Sequence, residues 1–370
     1  MIGIGVNCSQ WDGAVEAALL QLQPSIIVAT DPVNWDTIGR CKLASFPCAV
    51  IYRPILDGNR PDNHGMNPND LADFTLAQLN QRWQLIDAVQ GYNEVITSNN
   101  VAEQGPRELA YLRRMQGEGI PVVALNAGVG QLEPEHIAML LDIFREGYVG
   151  AHGYLDAFAR VLEDDPTPDY FRRPERKWLP VLAAHGLDLS RTLFTESGTY
   201  YDPERSGVSW EAYARLLIAI HEYALGLGMM GTCGFTLAGY EPWQTQQPWQ
   251  LVEHPEALAI LAQYNREHAG PPPVFTVRQQ SPVGAHSARS GTAEVNGGTA
   301  MADNFSNMIL GPGMVTKALE LGPTRTGKQL TGEIYLKDGQ GKDTYSYAVF
   351  EKCEIRYYPG INLVVALPFW

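Results

Sequence analysis

"PVVALNAGVGQLEPEHIAMLLDIFREGYVGAHGY", residues 121–154, holds the pattern that decides the fold. Residues 121–128 form an apolar run that reads as a strand. Residues 133–147 carry apolar side chains three and four positions apart, behind a proline near the start, and read as a helix. Residues 148–154 return to a short strand. Strands that alternate with helices call for parallel pairing and right-handed crossovers.

The alternation extends in both directions. Strands are predicted at 2–6, 25–30, 48–55 and 85–94 before this segment, and at 191–198 and 229–239 after it. Helices are predicted at 12–23, 33–44, 71–83, 105–119, 177–186, 209–228 and 254–268. Eight strands, each followed by a helix, in about 270 residues fit a (β/α)₈ TIM barrel. A doubly wound open sheet is the competing arrangement. It is disfavoured because "GIGVNCSQ" (3–10) after the first strand lacks the glycine pattern that cradles a phosphate.

"GPPPVF" (270–275) cannot continue a helix and marks a change in composition. The reading is therefore a barrel over 1–270 and a small β-rich C-terminal domain over 271–370. In the latter, apolar and polar residues alternate between the turn signals "KDGQGKD" (337–343) and "YPGIN" (358–362).

Composition narrows the function. The 370 residues are 45% hydrophobic and 18% charged, with a net charge of −14. That acidity argues against a nucleic-acid partner, which would call for a basic face. No apolar stretch is long enough to span a membrane, so no membrane partner is expected. The opening "MIGIGVNCSQWDG" lacks a basic and then apolar leader pattern. Five cysteines, an odd number without CxxC spacing, point to reduced, buried thiols rather than disulfides or zinc. These features suit a cytoplasmic protein and leave export open. No metal or cofactor is expected, and the oligomeric state is not legible.

Barrel enzymes place their chemistry at the C-terminal ends of the strands. Those ends carry Asn7, Arg53, Asn93-Glu94, Asn126, His152-Gly153-Tyr154 and Glu196, and the eighth strand leads to Tyr240 and Trp243. Taken singly, each has an ordinary reading as a solvated, ion-paired or packing residue. Together, Glu94 at the end of the fourth strand and Glu196 at the end of the seventh can flank a bound sugar. Glycoside hydrolysis needs such a pair, one acid at the leaving oxygen and one carboxylate at the anomeric carbon. An acid role for Glu94 requires a raised pKa. Asn93 can hold a sugar 2-hydroxyl, and Tyr154 can donate to Glu196 and favour its ionised form. Trp243 and Trp249, with Tyr200 and Tyr201, offer aromatic faces for a sugar ring.

With "YNE" (92–94), "HGY" (152–154), "FTESG" (194–198) and "GFTLAGYEPW" (234–243), the chain resembles the clan of retaining glycoside hydrolases built on (β/α)₈ barrels with catalytic glutamates on strands four and seven. The resemblance runs from the first strand to the last helix of the barrel, in order and register. It implies Glu94 as acid/base, Glu196 as nucleophile and Asn93 as the 2-hydroxyl partner. It also implies Tyr154 as a support for the nucleophile with His152 nearby, and Trp243 as a platform under a carbohydrate substrate. Arg53 and Asn126 complete the expected binding set. The clan often has proline where this chain has Val95, and many members carry an arginine on strand two where this chain offers Arg53 on strand three. Two other readings are a non-catalytic carbohydrate-binding barrel and a metal-dependent barrel hydrolase. The second lacks a histidine cluster at the strand ends.

Overall fold

The computed structural model describes residues 3–44, 46–56, 62–155, 172–199, 203, 208–239 and 250–277, and the backbone of 334–337, 343–349, 353–358 and 363–368. Eight strands form a closed, all-parallel barrel: β1 (Gly5–Cys8), β2 (Ile26–Thr30), β3 (Ala49–Arg53), β4 (Ala88–Gln90), β5 (Val122–Ala127), β6 (Tyr148–Leu155), β7 (Thr192–Thr199) and β8 (Thr232–Ala238). Closure by the β1–β8 pair removes the open-sheet alternative. The fold is a (β/α)₈ barrel.

The surrounding helices are α1 (Gly13–Leu22), α2 (Trp35–Leu43), α3 (Pro68–Leu79), α4 (Val101–Gly117), α5 (Pro134–Met139), α6 (Leu141–Glu146), α7 (Leu179–Ala184), α8 (Trp210–Gly226) and α9 (Pro255–Glu267). Several start where the sequence supplies an N-cap: Asp12 accepts from the Val15 N–H, Asn34 from those of Asp36 and Thr37, and Ser209 from that of Ala212.

Each strand serves two cores. On β2, Ile26 and Val28 face the barrel interior while Ile27 and Ala29 pack under the helices. On β3, Ala49 and Ile51 face inward, Val50 and Tyr52 outward. This two-sided burial gives the continuous apolar runs of the sequence. The interior is apolar at the N-terminal ends of the strands, through Ala88, Val123, Tyr148, Leu193 and Cys233. Following the same parity, it turns polar toward the C-terminal ends, through Thr30, Arg53, Gln90 and His152, all buried.

Four sequence expectations shift. The helix predicted over 133–147 is two, α5 and α6, because the Leu140 N–H bonds to the Ile137 carbonyl in a tight i→i+3 turn. Both halves still bury their apolar residues. The helix predicted to start at 105 starts at Val101 with Pro106 inside it. Gly105 is there for packing, since a Cβ would lie 2.9 Å from Leu140 Cδ2. The fourth strand stops at Gln90, so Asn93 and Glu94 lie beyond it. The segment predicted helical over 177–186 begins with a wide turn at Pro174–Trp178 before α7.

The prolines at 271–273 do not end the first compact unit, which runs through Gln280 apart from the short segment Ala183–Gly186. Phe275 joins the interior core and packs edge-on against Tyr148 at 4.8 Å, while the Tyr148 hydroxyl donates to the Val274 carbonyl. The second unit contains an antiparallel four-stranded sheet in the order β12-β11-β10-β9, from β9 (Ile334–Lys337), β10 (Asp343–Val349), β11 (Cys353–Tyr358) and β12 (Leu363–Pro368). Both turn signals fall largely on connections outside the described residues.

Candidate active site

Two β-bulges aim the site. Between β6 and β7, Ala151 pairs with Phe194 but His152 pairs with Glu196, so β7 carries one extra residue, Thr195. Strict alternation from the inward Leu193 would send Glu196 outward; the extra residue turns it toward His152. On β5, Ala124 pairs with Val149 and Ala127 with Ala151, again one residue too many. There Leu125 (φ +68°) and Asn126 (φ +40°) occupy the left-handed region.

Glu196 is held from two sides. Arg53 Nη1 donates to its Oε1 at 3.2 Å, and the Tyr154 hydroxyl donates to its Oε2 at 2.8 Å. Burial first, and then the Glu196 carboxylate, pushes the Tyr154 phenol well above its ordinary value. The hydroxyl therefore remains a donor.

Glu94 sits past the end of β4 at φ +52°, a left-handed conformation unusual for a non-glycine residue. Its N–H donates to the Asn126 carbonyl at 3.1 Å. Its carboxylate lies against Gly128, where a Cβ would come 3.1 Å from Oε1. His152 joins the two glutamates: its Nδ1 is 2.8 Å from Glu94 Oε1 and 3.5 Å from Glu196 Oε2. Because both oxygens neighbour one nitrogen, their separation cannot exceed these two distances laid end to end. The Glu94 side chain is 46% exposed and that of Glu196 8%, so the pair opens at Glu94.

The charges in this cluster set its protonation. Burial pushes His152 down, but Glu196 and Glu94 outweigh it and raise the imidazole above its ordinary value. Burial pushes Glu94 up, but His152 and then Arg53 outweigh it and hold the carboxyl below its ordinary value. An acid role called for a raised Glu94; in the free protein its carboxyl is lowered instead, because the imidazole beside it favours the charged carboxylate.

Sequence reading missed Asp62, which lies in a polar loop. Its Oδ1 accepts from Arg53 Nη2 at 2.9 Å and from Asn93 Nδ2 at 3.1 Å. Asn63 anchors this loop by donating to the carbonyls of Pro54 and Gly91. Gln90, also missed, donates to Asn93 Oδ1 at 2.9 Å. Asn93 is thus fixed from both ends of its amide. The signal for Gln90 was the parity of β4, which turns it inward two residues after Ala88.

Arg53, Asn93, Glu94, His152, Tyr154 and Glu196 converge. Asn126 does not reach the mouth: it is fully buried, donating to the carbonyls of Tyr92 and Val123 and accepting from Thr195 Oγ1. It ties strands together rather than lining the opening. Trp243, Trp249, Tyr200, Tyr201 and Tyr240 lie outside the described residues. Cys8, Cys41, Cys48 and Cys233 are free and buried, with burial pushing Cys41 to about 12 and Cys48 to about 11. Among the described residues, no helix is long and apolar enough to cross a membrane, and no three His, Cys, Asp or Glu side chains group so as to hold a metal ion.

No family model and no curated protein sequence matches the chain. Solved structures similar to it include an endo-beta-1,4-mannanase from Thermotoga petrophila, at 10% identity over 73% of this chain and 77% of that one, with a TM-score of 0.46. A trimodular endoglucanase of subfamily GH5_4 is 10% identical, with 70% of this chain and 60% of that one covered and a TM-score of 0.45. A family 39 glycoside hydrolase from the gut symbiont Bacteroides cellulosilyticus WH2 is 12% identical, with 70% and 63% covered and a TM-score of 0.45. This chain therefore spans less than two thirds of the latter two. These likenesses are of chain path; the chemistry rests on this chain's own side chains.

Proposed function

We propose that the chain is a retaining glycosidase acting on an oligo- or polysaccharide, with Glu196 as nucleophile and Glu94 as acid/base. The observation that carries this is the pair of carboxylates at the C-terminal mouth of a closed barrel whose facing oxygens lie 2.8 Å and 3.5 Å from the same His152 nitrogen. Retention needs carboxyl groups about 5–5.5 Å apart, and inversion needs roughly 6.5–9.5 Å to admit a water. One oxygen of each carboxylate neighbours the same His152 nitrogen, which supports two carboxyl groups close enough to act on one bond. This closeness supports the retaining mechanism and counts against a barrel that only binds sugar, where wider separations are tolerated.

In this reading a Glu196 oxygen attacks the anomeric carbon as the glycosidic bond breaks, and the proton on Glu94 goes to the leaving oxygen. Glu94 then takes a proton from water, which displaces Glu196 and releases the sugar. Arg53 and Tyr154 orient the nucleophile. Asn93, locked by Asp62 and Gln90, is assigned to the 2-hydroxyl, and Trp243 to the sugar face. We assign catalysis to the barrel, residues 1–270 together with the packed segment through 277, and treat the remaining C-terminal residues as an appended β-rich unit.

A panel of aryl glycosides and polysaccharides tests the assignment. Glu196→Ala should abolish turnover of every substrate the wild type cleaves. Glu94→Ala should slow substrates with poor leaving groups by about 10²–10⁴-fold while sparing activated ones, because the acid's task is protonating the leaving group. Turnover by Glu196→Ala at the wild-type rate would sink the assignment.

A further inference from the structure

Helix α4 buries a stripe made of Gln104, Glu108, Tyr111, Leu112 and Met115. A glutamate in that stripe is out of place. Glu108 is 1% exposed, and a buried carboxyl costs free energy unless it is bonded. The group it meets is the Leu125 N–H, which donates to Glu108 Oε2 at 3.3 Å. Leu125 lies in the β5 bulge, where the register with β6 shifts between Ala124 and Ala127. The next residue, Asn126, connects to both proposed catalytic segments. Its carbonyl accepts the Glu94 N–H at 3.1 Å, its Nδ2 donates to the Tyr92 carbonyl at 3.1 Å, and its Oδ1 accepts from Thr195, the neighbour of Glu196, at 3.1 Å.

We propose that Glu108, outside the barrel, is a positioning residue for Glu94: it pins the left-handed bulge at Leu125–Asn126, from whose carbonyl the Glu94 backbone hangs. This rests on Glu94 acting at the reacting bond, as proposed above. The bulge needs the pin because two consecutive non-glycine residues hold positive φ there. Tyr92 and Tyr111 face the carboxyl from the loop after β4 and from α4 itself, stacked edge to face at 6.0 Å.

Two variants separate this role from simple packing. Glu108→Gln keeps an oxygen for the Leu125 N–H; Glu108→Leu fills similar volume without one. The readout independent of substrate is the titration of the His152 imidazole, followed by NMR on histidine-labelled full-length chain, because Glu94 Oε1 helps to set it. In Glu108→Leu the His152 pKa should fall by about one unit as Glu94 moves away, and in Glu108→Gln it should match the wild type. With the 4-nitrophenyl glycoside that the wild type cleaves best, Glu108→Leu should lose about 10²-fold in kcat with KM nearly unchanged. Glu108→Gln should recover it. A folded Glu108→Leu chain with a wild-type His152 titration overturns the proposal, and Glu108→Met serves the same test should the leucine chain not fold. Absence of turnover by the wild type would count against the glycosidase reading and leave the NMR test of Glu108 standing.

Discussion

Replacing Glu108 by glutamine should make the barrel more stable, by an amount that grows with pH. Full burial raises the Glu108 carboxyl from 4.5 to about 8, offset only in part by the bond from the Leu125 N–H. Between those two values the folded protein keeps a proton that the unfolded chain has released. The unfolded state therefore binds fewer protons, and stability falls as pH rises through the window. Each pH unit costs about 1.4 kcal/mol, so roughly 5 kcal/mol of stability is lost between pH 4.5 and pH 8, and no further loss follows above it. Glutamine fills the same space, accepts the same N–H and has no proton to lose. Urea unfolding followed by tryptophan fluorescence at pH 5, 6, 7 and 8 measures the difference between the two proteins, in which all other titrating groups cancel. The difference should climb by about 1.4 kcal/mol per unit over this range. A constant difference would show that Glu108 is ionised in the folded protein and would refute the reasoning.

Three further outcomes follow from the packing and the site. Gly150→Ala should lower stability by at least about 2 kcal/mol, because its Cβ would lie 1.9 Å from Asn126 Oδ1; thermal unfolding measures it. Phe275→Ala should cost about 3 kcal/mol by emptying the N-terminal end of the barrel interior, and an unchanged midpoint in urea would show that residues 271–277 are not part of the core. Tyr154→Phe removes the donor at 2.8 Å from Glu196. A hydrogen bond to a charged group contributes roughly 1.5–3 kcal/mol, so kcat/KM should drop roughly 10- to 100-fold with the fold intact.

The barrel was legible because its strands are apolar on both faces and its helices on one, so the two periods alternate from the first strand to the last helix even where a boundary shifts, as at the fourth strand. Much of the site was legible for a related reason: in a parallel barrel, strand ends share one rim, and the sequence order of Arg53, Asn93-Glu94, His152, Tyr154 and Glu196 maps directly onto it. What escaped was non-local or irregular. Asp62 sits in a loop of polar residues that look alike, and its role comes from Asn93, 31 positions away. The bulges at Leu125 and Thr195 add one residue each to ordinary apolar runs, and nothing in composition marks where parity resets. Asn126 was expected at the rim as a strand end; it lies inside the bulge, with its amide bonded to the Tyr92 and Val123 carbonyls and to Thr195. Glu108 was overlooked because a glutamate on a helix ordinarily faces water.

The resting charge distribution and the proposed acid role of Glu94 fit together through desolvation. What most strongly raises Glu94 is already burial, even with nearly half of its side chain open to water. What holds the carboxyl down is the charged His152, followed by Arg53. A sugar seated between the two glutamates removes the remaining water from the exposed side of Glu94 and leaves Arg53 and His152 where they are. The balance then moves in one direction, toward the neutral carboxyl. The proton has a short path, since His152 Nδ1 lies 2.8 Å from Glu94 Oε1. On this view His152 lowers Glu94 in the free protein, and the loss of water around a bound sugar raises it toward the neutral acid that the proposed role requires.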